Sequence, residues 1–285
     1  MTARAPEQLE HELSQAYGRV DLVRLQHPRQ ANHTWMVEWD HGPAIVKQYR
    51  WIGPDALTEI LQAEQRARAA GVPVPEVLHR CEDGLTVVYT LLGGRHVIPL
   101  EAGLVDHCAE LYAAQLSALA DFHSSTARPR PQGLTRRAQE AYDGSADQEL
   151  RQVIATTWAE LSRLGSVRPV GASHMDWRAD NLLVNGSRVS GVVDWEFLGP
   201  LPAAEAVGCA AGSLTHSWRD ELYRPMTVEP VQRFLQTAAE LLSWTESDLA
   251  HARLAALHTC AIRLAEDRSG GGALYDAADL KRALA

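Results

Sequence analysis

The chain has 285 residues, 46% hydrophobic and 22% charged, which is ordinary globular usage and long enough for one large domain or two lobes sharing a cleft. A net charge of −9 lacks the basic footprint of a general nucleic-acid or anionic-membrane binder, and is compatible with a cationic small substrate. The four cysteines (Cys81, Cys108, Cys209, Cys260) form no Cys-x-x-Cys pair and have no His at metal-ligand spacing, so buried free thiols are expected. Residues Met1 to Leu13 are polar and charged, with no apolar signal region, and no run approaches the roughly 18 apolar residues of a membrane span. A cytoplasmic protein with no membrane partner is the expectation.

From about Val20 to Gly94 the periodicity is that of strands. Val20–Leu25 and Thr34–Trp39 are the first two runs. The turn signal Asp40-His41-Gly42-Pro43 then leads into Ala44–Tyr49, so the second and third runs read as a hairpin. Asp55 stands where an N-cap would precede a helix over Ala56–Ala70, which Gly71 and Pro73 stop. Val72–Leu78 and Leu85–Leu92 return to strand character before Gly93-Gly94.

Beyond Gly103 the pattern turns helical: Val105–His123, Gln148–Leu164, Val231–Leu242 and Asp248–Glu266. One hairpin interrupts it, Asn181–Val184 and Val189–Val193 around the turn Asn185-Gly186-Ser187. A strand-rich first third and a helical remainder suggest two lobes.

The densest chemistry lies in Ser173-His174-Met175-Asp176-Trp177-Arg178-Ala179-Asp180-Asn181, followed after the hairpin by Gly191-Val192-Val193-Asp194-Trp195-Glu196. Phosphoryl transfer needs this combination: one carboxylate to orient a hydroxyl and take its proton, and an amide oxygen with a second carboxylate to hold Mg²⁺ on a triphosphate. Upstream, Lys47 leaves the apolar strand Ala44-Ile45-Val46, where a lysine can grip phosphates if a helix carboxylate holds it.

The segments around His174 and Asp194 resemble the aminoglycoside phosphotransferase/choline-kinase family, with its His-Gly-Asp-x4-Asn and Ile-Asp-Trp/Phe-Glu phrases. The resemblance implies an α+β, bilobal, protein-kinase-like fold. A small antiparallel-sheet nucleotide-binding lobe with one helix would span residues 1–92, and a larger, mainly helical catalytic and substrate-binding lobe residues 93–285. It further implies that Asp176 is the catalytic base, that Asn181 and Asp194 are Mg²⁺ ligands, and that His174 orients the loop. Arg178 stands where serine/threonine protein kinases place a lysine, within reach of a γ-phosphate.

On the helix after Lys47 two carboxylates are available as its partner. Glu64 has the family's usual separation from the lysine, whereas Glu59 better fits the distance to Val72-Pro73-Val74-Pro75. Leu85–Gly94 resembles the strand and hinge under a purine ring, with the backbones of Thr90 and Leu92 bonding the base of ATP or GTP.

The chain departs from the family at three places. Met175 replaces a Gly. His27–Thr34 stands where a glycine-rich loop would, and Glu205 occupies the place of an Asp that braces the catalytic loop. The protein-kinase branch is disfavoured, because Asp194-Trp195-Glu196 is not an Asp-Phe-Gly and no Ala-Pro-Glu follows it; a hydrolase reading lacks a Gly-x-Ser-x-Gly elbow.

The implied function is transfer of a γ-phosphoryl group from a nucleoside triphosphate to a hydroxyl of a small molecule. That acceptor would be an antibiotic of aminoglycoside, nucleoside or macrolide type, or a metabolite such as a sugar, choline or homoserine. A nucleotide-binding pseudokinase is the reading from another class. Acidic residues toward the C-terminus (Asp220-Glu221, Glu240, Glu246, Asp248, Glu266-Asp267) suit a polycation if they face the acceptor. Trp218, Tyr223 and Trp244 are candidate pocket aromatics.

Overall fold

In the computed structural model the described residues are 6–18, 20–25, 32–39, 42–98, 101–123, 139, 143, 148–164, 171–214, 216–217 and 228–268. The loop before Asn32, the turn residues Asp40 and His41, the candidates Trp218, Asp220, Glu221 and Tyr223, and the side chains of Glu266 and Asp267 lie outside them.

The chain opens with helix α1 (Pro6–Tyr17), which the sequence reading missed. Its signal is faint: only Leu9, Leu13 and Tyr17 recur at four-residue spacing in an otherwise polar stretch, and Leu9 and Leu13 are buried. There follow β1 (Asp21–Leu25), β2 (His33–Trp39), β3 (Gly42–Gln48), α2 (Pro54–Ala69), β4 (Val77–Arg80) and β5 (Thr86–Thr90). The strands form one antiparallel sheet of five in the order β1-β2-β3-β5-β4. The strand expected over Val72–Leu78 begins only at Val77. Ahead of it Val72 and Val74 are buried while Pro73 and Pro75 carry no amide hydrogen for a ladder. Helix α2 also starts earlier than expected: Gly53 is its N-cap and Pro54 its first residue, which puts Asp55 in the first turn.

Side-chain alternation gives the sheet two different faces. Trp35, Val37, Ala44, Val46, Val88 and Cys81 join Leu9 and Leu13 of α1 in one cluster. Tyr49, Val87 and Tyr89 join Leu57 of α2 in another, with Ile45 packed on it. Lys47 alternates with Val46, so it projects on the α2 face.

The larger part comprises α3 (Ala102–Ala118), α4 (Gln148–Leu164), β6 (Ala172–His174), a 3₁₀ turn (Ala179–Asn181), the hairpin β7 (Leu182–Asn185) and β8 (Arg188–Val192), β9 (Leu198–Pro200), α5 (Ala203–Ser213), α6 (Val228–Leu241) and α7 (Glu246–Arg268). Strand β6 pairs antiparallel with β9, which carries the residues before and after the two motif loops to one place. Two glycines one turn apart on α5, Gly208 and Gly212, meet α7 backbone to backbone. A Cβ at Gly208 would lie 2.3 Å from the Ala252 carbonyl oxygen, and one at Gly212 would lie 2.8 Å from that of Ala256. The architecture is the α+β, kinase-like arrangement that the motifs imply. All four cysteines are buried and none is in a disulfide. No helix among the described residues is long and apolar enough to cross a membrane.

Candidate active site

The residues from the two motif loops converge. His174 ends β6, buried between the rings of Trp177 and Trp195 at centroid distances of 5.8 and 4.9 Å. The Asp176 amide donates to His174 Nδ1 (3.1 Å), so the ring's proton sits on Nε2, which donates to the Val193 carbonyl (3.0 Å). Burial holds the imidazole below the usual histidine range, in its neutral form. The Val193 amide in turn donates to the Asn181 carbonyl (2.9 Å). The residue just before Asp194 is thus clamped between the histidine and the asparagine of the other loop. Tyr112 of α3 adds a brace, its hydroxyl bridging the carbonyls of His174 and Ala206 at 3.1 Å each.

Asp176 is buried. Asn181 Nδ2 donates to its Oδ2 (2.9 Å) and to its backbone carbonyl (2.8 Å). Arg178 lies on the same carboxylate at 3.0 Å, and Arg263 of α7 lies 3.8 Å from the other oxygen. Arg263 was missed in the sequence, although a lone guanidinium inside Cys260-Ala261-Ile262-Arg263-Leu264-Ala265 is a usable signal.

Lys47 reaches the second loop. Its ammonium forms ion pairs with Asp194 Oδ1 and Glu196 Oε2 and lies 4.8 Å from the centroid of the Tyr49 ring. Burial alone would lower the lysine's pKa, but the two carboxylates outweigh it and hold the ammonium well above its usual range. Burial likewise pushes both acids upward. Lys47 overcomes this for Asp194, which is held low, and does not for Glu196, which stays raised. Asn32 completes the group: its Nδ2 donates to Glu196 Oε2 (2.6 Å) and its Oδ1 accepts the Arg50 amide (3.1 Å). Glu196 has a sequence signal, as the last residue of the Asp194-Trp195-Glu196 phrase; Asn32 has none.

Neither carboxylate expected to hold Lys47 forms its ion pair. The Asp194 and Glu196 carboxylates reach the ammonium directly, while Glu64 is buried deeper beside Tyr89. Burial pushes Glu64 up to about 8, with Lys47 acting against it at longer range. Glu59 is only partly buried, on another side of α2. At the expected hinge, the Thr90 amide donates to the Glu76 carbonyl (2.9 Å), so of its backbone only the carbonyl remains for a purine. Leu92 packs on the hairpin, where a Cβ at Gly191 would lie 2.9 Å from its Cδ1.

Of the carboxylates expected to suit a polycation, the described ones have other surroundings. Thr245 and Asp248 form a reciprocal cap at the start of α7, the Thr245 amide donating to Asp248 Oδ2 (3.0 Å) and the Asp248 amide to Thr245 Oγ1 (3.2 Å). Glu240 lines a groove of about 680 Å³ with Asp106, Glu110 and Arg233. Glu246 is an exposed first-turn residue of α7, and Trp244 packs on the core. Glu205 is buried in the first turn of α5, 3.9 Å from His251 Nε2.

Asp194 has φ +65°, which aims its carboxylate out of the hairpin toward Lys47; its side chain is 44% exposed. With the Asn181 amide nitrogen committed to Asp176, the site offers two hard oxygen donors, one from each loop, of which the Asp194 carboxylate is open to solvent. That donor set fits Mg²⁺.

The family model for the phosphotransferase enzyme family (APH) matches residues 25–241. The chain belongs to that family. This phosphotransferase also shares its fold with solved structures. One is the microcompartment-associated aminopropanol kinase, at TM-score 0.67 and 18% identity over 96% of this chain and 93% of that one. Another is the choline kinase LicA from Streptococcus pneumoniae, at 0.59 and 11% over 98% of both chains. A thermostable mutant of aminoglycoside phosphotransferase APH(4)-Ia, in ternary complex with ADP and hygromycin B, aligns at 0.57 and 15% over 97% and 96%. No curated protein sequence matches the phosphotransferase.

Proposed function

We propose that the protein transfers the γ-phosphoryl group of ATP or GTP to a hydroxyl of a small molecule. In this reading residues 1–92 chiefly bind the nucleotide and residues 93–285 supply the catalytic loops and the acceptor pocket. The observation that carries it is the convergence of Lys47, Asp194 and Asn181 on one side of Asp176, with both motif loops tied through Val193. Asp176 would hold the acceptor hydroxyl and take its proton, Lys47 would hold the nucleotide phosphates, and Arg178 would contact the transferring group. Asn181 and Asp194 would hold Mg²⁺, which supplies neutralisation of phosphate charge. With all four polar roles filled, a pseudokinase is disfavoured.

Of the two acceptor classes, a neutral or anionic metabolite is favoured over a polycationic antibiotic. Two guanidinium groups, Arg178 and Arg263, converge on Asp176, while Asp248 is engaged in the α7 cap and Glu240 lines the groove with Arg233. Like charges brought together without water between them repel a cationic acceptor where it must bind.

Panels of hydroxyl compounds incubated with ATP and with GTP, and read by mass spectrometry for an added phosphate, test this. Phosphorylation of a neutral or anionic acceptor is expected, falling about 10²–10⁴-fold in Asp176→Asn and lost in Asp194→Ala with the fold retained. Mg²⁺-dependent nucleotide binding without transfer to any acceptor would instead mark a pseudokinase. Preferential turnover of aminoglycosides would overturn the acceptor class.

A further inference from the structure

Strand alternation brings together, on the face of the sheet away from Lys47, three side chains of different metal-binding chemistry. His79 lies in β4 opposite Val88, and Cys81 continues the ladder with its amide on the Thr86 carbonyl (2.9 Å). Two residues apart in an extended segment, both side chains turn toward α1. There α1 presents Glu12, and the carboxylate, imidazole and thiol ligand atoms all lie within 4.8 Å of one another. The sequence shows no His at metal-ligand spacing from a cysteine in the helical or loop motifs usual for such sites. The trio forms only because a helix crosses an alternating strand.

We propose that Glu12, His79 and Cys81 form a Zn²⁺ site that fastens α1 to the sheet. The ligand chemistry selects the metal. A thiolate with an imidazole favours Zn²⁺ over the Mg²⁺ that a nucleotide brings, and a carboxylate completes a common borderline donor set. Tetrahedral Zn²⁺ with bonds of about 2.0–2.3 Å holds its ligand atoms roughly 3.3–3.8 Å apart, so the trio must contract by up to about 1.5 Å. Glu12, on a flexible side chain of the outer helix, supplies most of that movement.

The surroundings are partly organised already. The Tyr17 ring stands edge-on to the His79 ring at 5.3 Å, the Glu82 amide donates to Glu12 Oε1 (3.0 Å), and Cys81 is buried in the cluster that holds Leu9 and Leu13. Binding releases the Cys81 thiol proton to solvent, and water takes the fourth position. The site stands on the opposite face of the sheet from Lys47, so its role is to hold the N-terminal helix rather than to take part in phosphoryl transfer.

The test uses the full chain, stripped of metal by a chelator and dialysed, then titrated with Co²⁺ as a visible stand-in. The expected result is one equivalent bound, with a thiolate-to-cobalt charge-transfer band and a tetrahedral visible spectrum, both abolished by one equivalent of Zn²⁺. The band is lost in Cys81→Ser and weakened in Glu12→Gln and His79→Gln, and Zn²⁺ raises the Tm of the parent chain but not of these variants. Should Cys81→Ser not fold, the other two variants carry the same comparison. Absence of the band at stoichiometric Co²⁺ would overturn the proposal. So would its persistence in Cys81→Ser, or in both Glu12→Gln and His79→Gln.

Discussion

Glu64 is a buried acid whose natural partner is engaged elsewhere. With Lys47 drawn to Asp194 and Glu196, Glu64 keeps one carboxylate oxygen without a hydrogen bond among the described residues, and burial raises its pKa from 4.5 to about 8. The folded chain therefore holds this proton over a pH range in which the unfolded chain has already released it. Its contribution to stability is present in full below about pH 4.5 and is lost as pH rises to about 8. Glu64→Gln, which is neutral at every pH, escapes that loss. The Tm of Glu64→Gln minus that of the parent, measured without nucleotide, should grow steadily between pH 5 and pH 8, by up to about 1.4 kcal/mol in stability for each pH unit. A difference that does not change with pH would mean that Glu64 is already ionised.

At this scale the sequence carried much of the candidate grouping. Asp176, Asn181, Asp194, His174 and Lys47 were legible because their spacing is set by local loops and strands. Asn32 was not, because it joins the group only through tertiary placement, across 164 residues to Glu196, and Arg263 showed only as a lone guanidinium in an apolar run with nothing to name its partner. The ion-pair partner of Lys47 was misread for a related reason. Spacing along the chain weighs Glu59 against Glu64, but says nothing about how close the carboxylates of the other part come.

Among the elements, α5 and α7 show how catalytic geometry depends on residues with no chemistry. The run Ala203–Ser213 was legible only as a phrase ending in Glu205. As a buried helix it lacks an amphipathic stripe, being apolar or small on every side. Its two glycines let α7 approach closely, and α7 carries Arg263 to Asp176. In Gly208→Ala the added methyl group meets the Ala252 carbonyl at 2.3 Å and the Ala255 Cβ at 2.6 Å, neither of which can rotate away. Alanine would favour an isolated helix by about 1 kcal/mol, yet overpacking costs about 1–3 kcal/mol or more. Chemical denaturation should show net destabilisation, accompanied by a fall in phosphoryl transfer as the helix is displaced. Unchanged stability would mean that the helices separate freely. The missed helix α1 and the short strands β6 and β9 follow the same rule: elements of a few residues, or with two or three apolar anchors, fall below the length at which a period can be recognised.

For the molecule as a whole, the two-part architecture was readable from the change of period near Gly94, since strands and helices segregate along the chain. What the sequence could not convey is how the parts are joined. The amides and carbonyls of Arg95 and Val184 exchange hydrogen bonds (3.0 and 2.8 Å), Ser190 Oγ donates to the Gly93 carbonyl (2.6 Å), and the Val192 amide donates to the Pro73 carbonyl (2.8 Å). Gly94, at φ +136°, lies so near Ser190 that any side chain would collide with its hydroxyl. The connecting segment is thereby laced to the β7–β8 hairpin instead of hanging as a free strap. On the proposed function, a nucleotide would then enter a slot whose width is largely fixed beforehand, and little apolar surface beyond its own would disappear from water. Calorimetry at several temperatures should give a heat-capacity change close to that expected for the ligand's contact area alone. A much more negative value would reveal jaws that swing shut.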